Sequence, residues 1–246
     1  MSIPQALYAP EPFPSVDSGI PAAVDAVFSM QRDGTAALLR DMRSQGVMPT
    51  FPHPWGSTSA YLSLLRRPQP LAILDVPDIS LVPDLPQRVH VLSRLSTVVV
   101  LVPDDTDSVS LLRAGAANVL SRRASPKELA SRIAAERRWL AVLSPLHSSD
   151  DDNECLKLTL NVKHASQKIL LELIQAVRRP WCCHDLCLLL GDAQRPLSRR
   201  ALQARMTRLT HRMAECDTSF TVTKQWGRTT FGRAVEQQPA ASRPVP

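Results

Sequence analysis

Three groups of residues have types and spacings that could do chemistry. Asp75, Asp104 and Asp105 follow β-prone apolar runs, Leu71–Leu74 for the first and Thr97–Val102 for the other two. They therefore fall at the C-terminal edge of a sheet, the usual place for a reacting group in α/β architecture. Acid chemistry there needs company that the sequence does not supply. It contains no Gly-rich phosphate loop, nucleophile elbow or paired histidine, and glycine totals only 8. The expectation is a protein that is not an enzyme.

The second group is cationic. Leu202, Met206, Leu209 and Met213 recur at i, i+4, i+7 and i+11, which makes one narrow buried stripe on a helix that Ser198 can cap. The opposite face then carries Arg200, Gln203, Thr207, Arg208 and His211, with Arg199, Arg205 and Arg212 flanking it. Such a face suits a DNA groove, where Gln reads adenine and Arg reads guanine through bidentate hydrogen bonds. The third group, Cys182-Cys183-His184 with Cys187, has the ligand types of zinc. Adjacent residues give poor tetrahedral spacing, no second CxxC or HxxxH pair is present, and Cys187 lies among Leu186, Leu188, Leu189 and Leu190. Free thiols acting as small hydrophobes are expected, with no metal and no other cofactor.

These groups need elements to hold them, and 246 residues at 44% hydrophobic can bury one large core or two ordinary ones. The uninterrupted apolar run Val98–Val102, which no other run exceeds, is far below the roughly 20 residues needed to span a bilayer, and no basic-then-hydrophobic leader opens the chain. With an odd count of five cysteines, this predicts a cytoplasmic protein with no membrane contact. Residues 1–22 hold five prolines and no apolar periodicity, and are read as a disordered arm. Residues 144–154, polar and ending in an acidic run, read as a linker, and 236–246 as a tail.

Between residues 23 and 143 short β-rich runs alternate with helical ones. The runs are Ala26–Ser29, Thr35–Gln45, Val47–Phe51, Ser57–Leu65, Leu71–Asp75, Leu85–Leu95, Thr97–Val102, Ser108–Arg113, Ala117–Leu120 and Pro126–Leu143. Alternation of this kind predicts an α/β fold, a doubly wound parallel sheet. Ser125, Pro126 and Glu128 form a capping box for the last helix, with Leu129, Ile133 and Leu140 as its buried stripe. Charge divides the chain as well. Residues 1–150 carry 14 basic and 14 acidic side chains, whereas 161–246 carry 14 and 6, which points to an anionic partner for the second half.

The segment Leu111-Leu112-Arg113-Ala114-Gly115-Ala116-Ala117-Asn118-Val119-Leu120-Ser121, then Ser125-Pro126-Lys127-Glu128-Leu129, resembles the end of a bacterial response-regulator receiver domain. Leu71-Ala72-Ile73-Leu74-Asp75 with Pro77-Asp78 resembles the receiver's third strand, so the resemblance puts Asp75 at the phospho-accepting position. Aspartyl phosphorylation also needs Mg²⁺ held by further carboxylates, a sensing hydroxyl and a cation. Where the family has an acidic pair this chain reads Ser29-Met30-Gln31-Arg32, with Asp33 nearby. The hydroxyl position falls close to Val102-Pro103, and the family's Lys-Pro is replaced by Arg122-Arg123. A degenerate receiver is expected, with Asp75 inactive as a phosphoacceptor.

Residues 155–235 read as a second domain. Ile169, Leu170, Leu173, Ile174 and Val177 line one face of a first helix, Cys183–Leu190 make a second that stops at Gly191, and the cationic helix is the third. Ser219–Lys224 and Arg228–Phe231 then form a hairpin around Gln225-Trp226-Gly227, its tip basic through Lys224 and Arg228. Three helices and such a hairpin make an α+β winged helix-turn-helix domain, with residues 198–213 in the major groove and the wing, about 220–231, on the backbone. Cys155–His164 leaves room for one or two strands, and Trp226 is expected to pack back onto the domain. Leu202–Met213 is similar, position for position, to the recognition helix of OmpR/PhoB-type response regulators. That similarity implies that Gln203 and Arg208 face bases while Arg199, Arg200, Arg205, Thr207 and Arg212 grip phosphates.

The expected function is a sequence-specific transcription regulator that binds double-stranded DNA without depending on phosphorylation. The resemblance further implies a homodimer through about residues 108–143 and contact with RNA polymerase through the 192–197 loop. The alternative is a non-enzymatic scaffolding module whose basic domain binds nucleic acid without sequence preference; specific binding to a short duplex separates the two.

Overall fold

The computed structural model describes residues 24–46, 51–82, 84–147, 165–176, 179–214, 220–225 and 228–233. The arm read at 1–22, the linker from 148, Cys155–His164, Val177, Trp226 and the tail at 236–246 lie outside the described residues. Five strands form a parallel sheet: β1 (Ala26–Ser29), β2 (His53–Pro54), β3 (Leu71–Asp75), β4 (Thr97–Val102) and β5 (Asn118–Ser121), in the order β2-β1-β3-β4-β5. β1 and β3 are buried throughout and β4 at all but its first residue, as strands covered on both faces require. Strand order reverses between β1 and β3, where Ser29 and Asp75 stand in register. Crevices open at that point of an α/β sheet.

Helices α1 (Arg32–Arg43) and α5 (Pro126–His147) cover one face, with Leu39, Met42, Leu129 and Ile133 packed on Val27, Ile73, Val99 and Leu101. α2 (Thr58–Leu65), α3 (Leu85–Ser93) and α4 (Ser108–Arg113) cover the other, over Phe28, Leu74 and Val100. The sheet is thus doubly wound. Ser125 Oγ accepts from Glu128 N at 3.2 Å to start α5, and α5 continues to His147. The residues read as the opening of the linker, 144–147, are therefore helical, since the helix runs two residues past Pro145 instead of stopping before it. Of the run expected at Val47–Phe51, residues 47–50 lie outside the described residues, and the second strand begins beyond it. It is a two-residue edge strand at His53–Pro54, a position that tolerates proline because one side of it carries no ladder.

The remaining chain holds α6 (Ala165–Ala176), β6 (Trp181–Cys182), α7 (Cys183–Leu190), α8 (Arg199–Ala214), β7 (Phe220–Gln225) and β8 (Arg228–Arg233). β7 and β8 form an antiparallel hairpin, and β6 adds to β8 in the order β6-β8-β7. Leu202, Met206, Leu209 and Met213 of α8 are all buried, and Ser198 Oγ accepts from Ala201 N at 3.2 Å at its start. Gly191 ends α7 in an extended conformation, φ −81, and not in the left-handed turn usual for a terminal glycine. A side chain is excluded there by contact, since a Cβ would meet Arg195 O at 2.5 Å. α6 packs against α2 and α7 against α3, so the core over the second sheet face runs into the core of the C-terminal elements. Among the described residues no helix is long and apolar enough to cross a membrane.

Candidate functional site

β3 carries Asp75 to the C-terminal edge of the sheet, where its side chain is fully buried. An ionised carboxylate in that position is costly unless each oxygen is engaged. Arg122, the first residue beyond β5, donates from Nε to Oδ1 at 2.7 Å and from Nη2 to Oδ2 at 3.4 Å. Thr35, in the first turns of α1, donates from Oγ1 to Oδ2 at 2.5 Å and lies 2.6 Å from Ser29 Oγ. The carboxylate is closed by a guanidinium and a hydroxyl from two other elements.

Among the described residues, this arrangement leaves no place for a divalent cation. It would have to displace the guanidinium, and the nearest residues at the end of β1, Ser29, Met30 and Gln31, bring no carboxylate. The Asp33 side chain lies outside the described residues. Asp104 is exposed at the same edge and is used locally, accepting from Ser121 Oγ and pairing with Arg123 at 3.5 Å; Asp105 is exposed too. Among the described residues no group of three or more His, Cys, Asp or Glu is placed to hold a metal. In the sequence Arg122 stands out only as a replacement of the family's lysine and Thr35 only as the start of a helix, and neither announces itself as a partner of Asp75. An Arg directly after a buried strand was the available signal.

The other candidate surface is α8. Its buried stripe turns Arg199, Arg200, Gln203, Thr207, Arg208 and His211 to solvent, with Arg205 and Arg212 half-buried at the flanks. Thr207 Oγ1 donates to Gln203 O at 3.0 Å, so its proton is spent on the helix and the hydroxyl presents an acceptor outward. Lys224 and Arg228 stand near the end of the β7–β8 hairpin where the two strands are joined, opposite Thr229 and Gln225 respectively; their side chains lie outside the described residues. The loop between α7 and α8 is self-bonded: Asp192 Oδ1 accepts from Gln194 N and Arg195 N, leaving Gln194, Arg195 and Pro196 exposed.

The cysteines serve the helix. Cys182 Sγ caps α7 by accepting from Asp185 N at 3.3 Å, and burial pushes its thiol above the usual range. Burial, with Cys183 beside it, pushes Cys187 up to about 12. A thiol held protonated at neutral pH is a poor nucleophile.

No family model matches the sequence, and no curated protein does. Among solved structures, the chain is similar to a signal receiver domain of a Luxo repressor protein from Vibrio parahaemolyticus. The two are 20% identical at a TM-score of 0.37, with 50% of this chain and 96% of that chain covered.

Proposed function

We propose that this chain is a sequence-specific DNA-binding transcription regulator, built from a receiver-like domain that works without phosphorylation and a winged helix-turn-helix output domain. The observation that carries the reading is α8, a helix locked by four buried apolar residues that leaves a Gln and an Arg on the solvent side, flanked by further arginines. That is the composition of a groove-reading helix, with base-reading side chains in the middle and phosphate-gripping ones around them. The β7–β8 hairpin follows it as a wing would. The strand order β2-β1-β3-β4-β5 is that of flavodoxin-like sheets, to which receivers conform. The closed Asp75–Arg122 pair supports independence from phosphorylation, since an acceptor with both oxygens occupied and no exposure is poorly placed to meet a phosphodonor.

Dimerisation through residues 108–143 is part of the proposal. Val109 and Leu112 on α4 and Trp139 and Val142 on α5 are large apolar side chains left exposed, and such groups tend to mark association surfaces. The exposed tip of the 192–197 loop is available for RNA polymerase. The test is selection of genomic fragments by the purified protein, followed by titration of the best fragment against scrambled DNA at several salt concentrations. A preference of about a thousandfold for a repeated motif is expected, with a salt slope of about −0.9 per neutralised phosphate. A salt slope with no preference would replace this reading by a non-specific binding module.

A further inference from the structure

Helix α7 is gripped at both ends by side chains of the first domain. At its C-terminal end Trp55 Nε1 donates to Leu188 O at 2.8 Å, satisfying one of the four carbonyls that a helix leaves open there. Arg88, only 1% exposed, donates from Nη1 to Asp192 O at 2.9 Å while its Nε holds Asp84 Oδ1 at 2.8 Å. Its guanidinium lies 5.3 Å from the centre of the Trp55 ring. At the N-terminal end Arg94 stacks 3.7 Å from the centre of the Trp181 ring. It also donates from Nη2 to Arg179 O at 2.6 Å and Pro180 O at 3.1 Å, and pairs with Asp185 through Nη1 at 3.3 Å.

Backbones meet between the two grips. Gly56 has φ +84, and a Cβ on it would stand 2.0 Å from Gly191 O, so glycine is required on both counts. The apolar core runs unbroken from Phe28, Trp55 and Tyr61 to Leu173, Leu189 and Phe231. Interfaces between domains that move past each other are small and polar. One anchored by buried Trp and Arg over a shared apolar core is of the obligate kind. α7 in turn carries α8, since Leu197 N donates to Cys187 O at 2.8 Å across the connecting loop and the two helices pack together.

We infer that Trp55, Arg88 and Arg94 are positioning residues for α8. They hold α7, and through it the exposed face of α8, in one orientation, so that the two domains act as a single permanently docked body and not as tethered modules. The use of α8 on DNA rests on the reading above; the docking does not.

The experiment uses the full chain with a protease site introduced between residues 148 and 154. After complete cleavage the two pieces are expected to co-elute in size exclusion at micromolar concentration and to bind the selected DNA fragment within about twofold of the uncut chain, because the interface and not the connection holds them. Arg94→Ala leaves Trp55 and Arg88 in place. It should raise hydrogen exchange of the α7 amides about tenfold and weaken DNA binding about fivefold with every α8 side chain intact. Arg94→Lys, which lacks the planar fork, should restore neither. Separation of the cut wild-type pieces, or an Arg94→Ala protein unchanged in both exchange and binding, overturns the inference. If the uncut wild type selects no fragment, the DNA reading fails, while co-elution and exchange still decide the docking.

Discussion

Replacing Asp75 by alanine should destabilise the protein by about 2–4 kcal/mol. Breaking a buried ion pair from one side costs about 3–5 kcal/mol, because the surviving charge loses its opposite charge in a low-dielectric setting. Arg122 is 21% exposed on its side chain, so its fork can turn partly to water, which lowers the range. Thr35 Oγ1 loses its acceptor as well, but Gln31 O lies 3.1 Å away and can take the proton, so that contribution stays under about 1 kcal/mol. The assay is urea unfolding of the full chain, with Asp75→Ala, Arg122→Met and the double variant forming a cycle. A coupling of about 1.5 kcal/mol or more is expected. A coupling below about 0.5 kcal/mol would refute the claim that the pair closes the site. In the same proteins the folded fraction should keep wild-type DNA affinity, and a small-molecule phosphodonor should leave that affinity unchanged. Tighter wild-type binding after phosphodonor treatment, absent in Asp75→Ala, would show that the carboxylate opens.

Arg208→Ala should cost about 1–3 kcal/mol on the selected fragment and much less on scrambled DNA, measured by competition titration; equal losses would make Arg208 a phosphate contact. Leu209→Ala, in the buried stripe of α8, should cost about 2–5 kcal/mol of stability by urea unfolding. The pair Leu112→Ser and Trp139→Ser, both exposed, should leave stability within about 0.5 kcal/mol and convert a dimer to a monomer in sedimentation; a wild type that is already monomeric would contradict the proposed interface. Cys187 ionises near its ordinary value of 9.0 when unfolded and about 12 when folded. Its contribution to stability is therefore complete below pH 9 and is lost as pH rises from there to about 12. Tyr61, pushed up by burial from 10.0, works in the same direction. Stability that stayed flat over that span would mean that these groups reach solvent.

What could be read from the amino acids was local. The runs Leu71–Asp75 and Thr97–Val102 coincide with β3 and β4 because each is a short, continuous apolar stretch with clear breaks. The stripe Leu202, Met206, Leu209 and Met213 is buried as spacing alone predicts. What escaped was distant in sequence. β6 is two residues long and exists only through pairing with β8. Arg122 lies 47 positions from Asp75 and Trp55 lies 133 from Leu188; no periodicity connects such partners. The weakly apolar edge strand at His53–Pro54 was hidden for a related reason, since its pairing to β1 and not its composition makes it a strand.

The shared core also bears on descent. An output domain on a loose tether can be passed between proteins by recombination and keep working on a new host. Here a transplanted C-terminal half would arrive with the apolar faces of α6 and α7 uncovered and with the Leu188 carbonyl lacking the indole that caps it. Exchange would succeed only if Trp55, Gly56, Arg88 and Arg94 travelled with it or already stood in the recipient. The two halves of this chain are thereby bound to change together, each substitution along the seam in one half restricting what the other can accept.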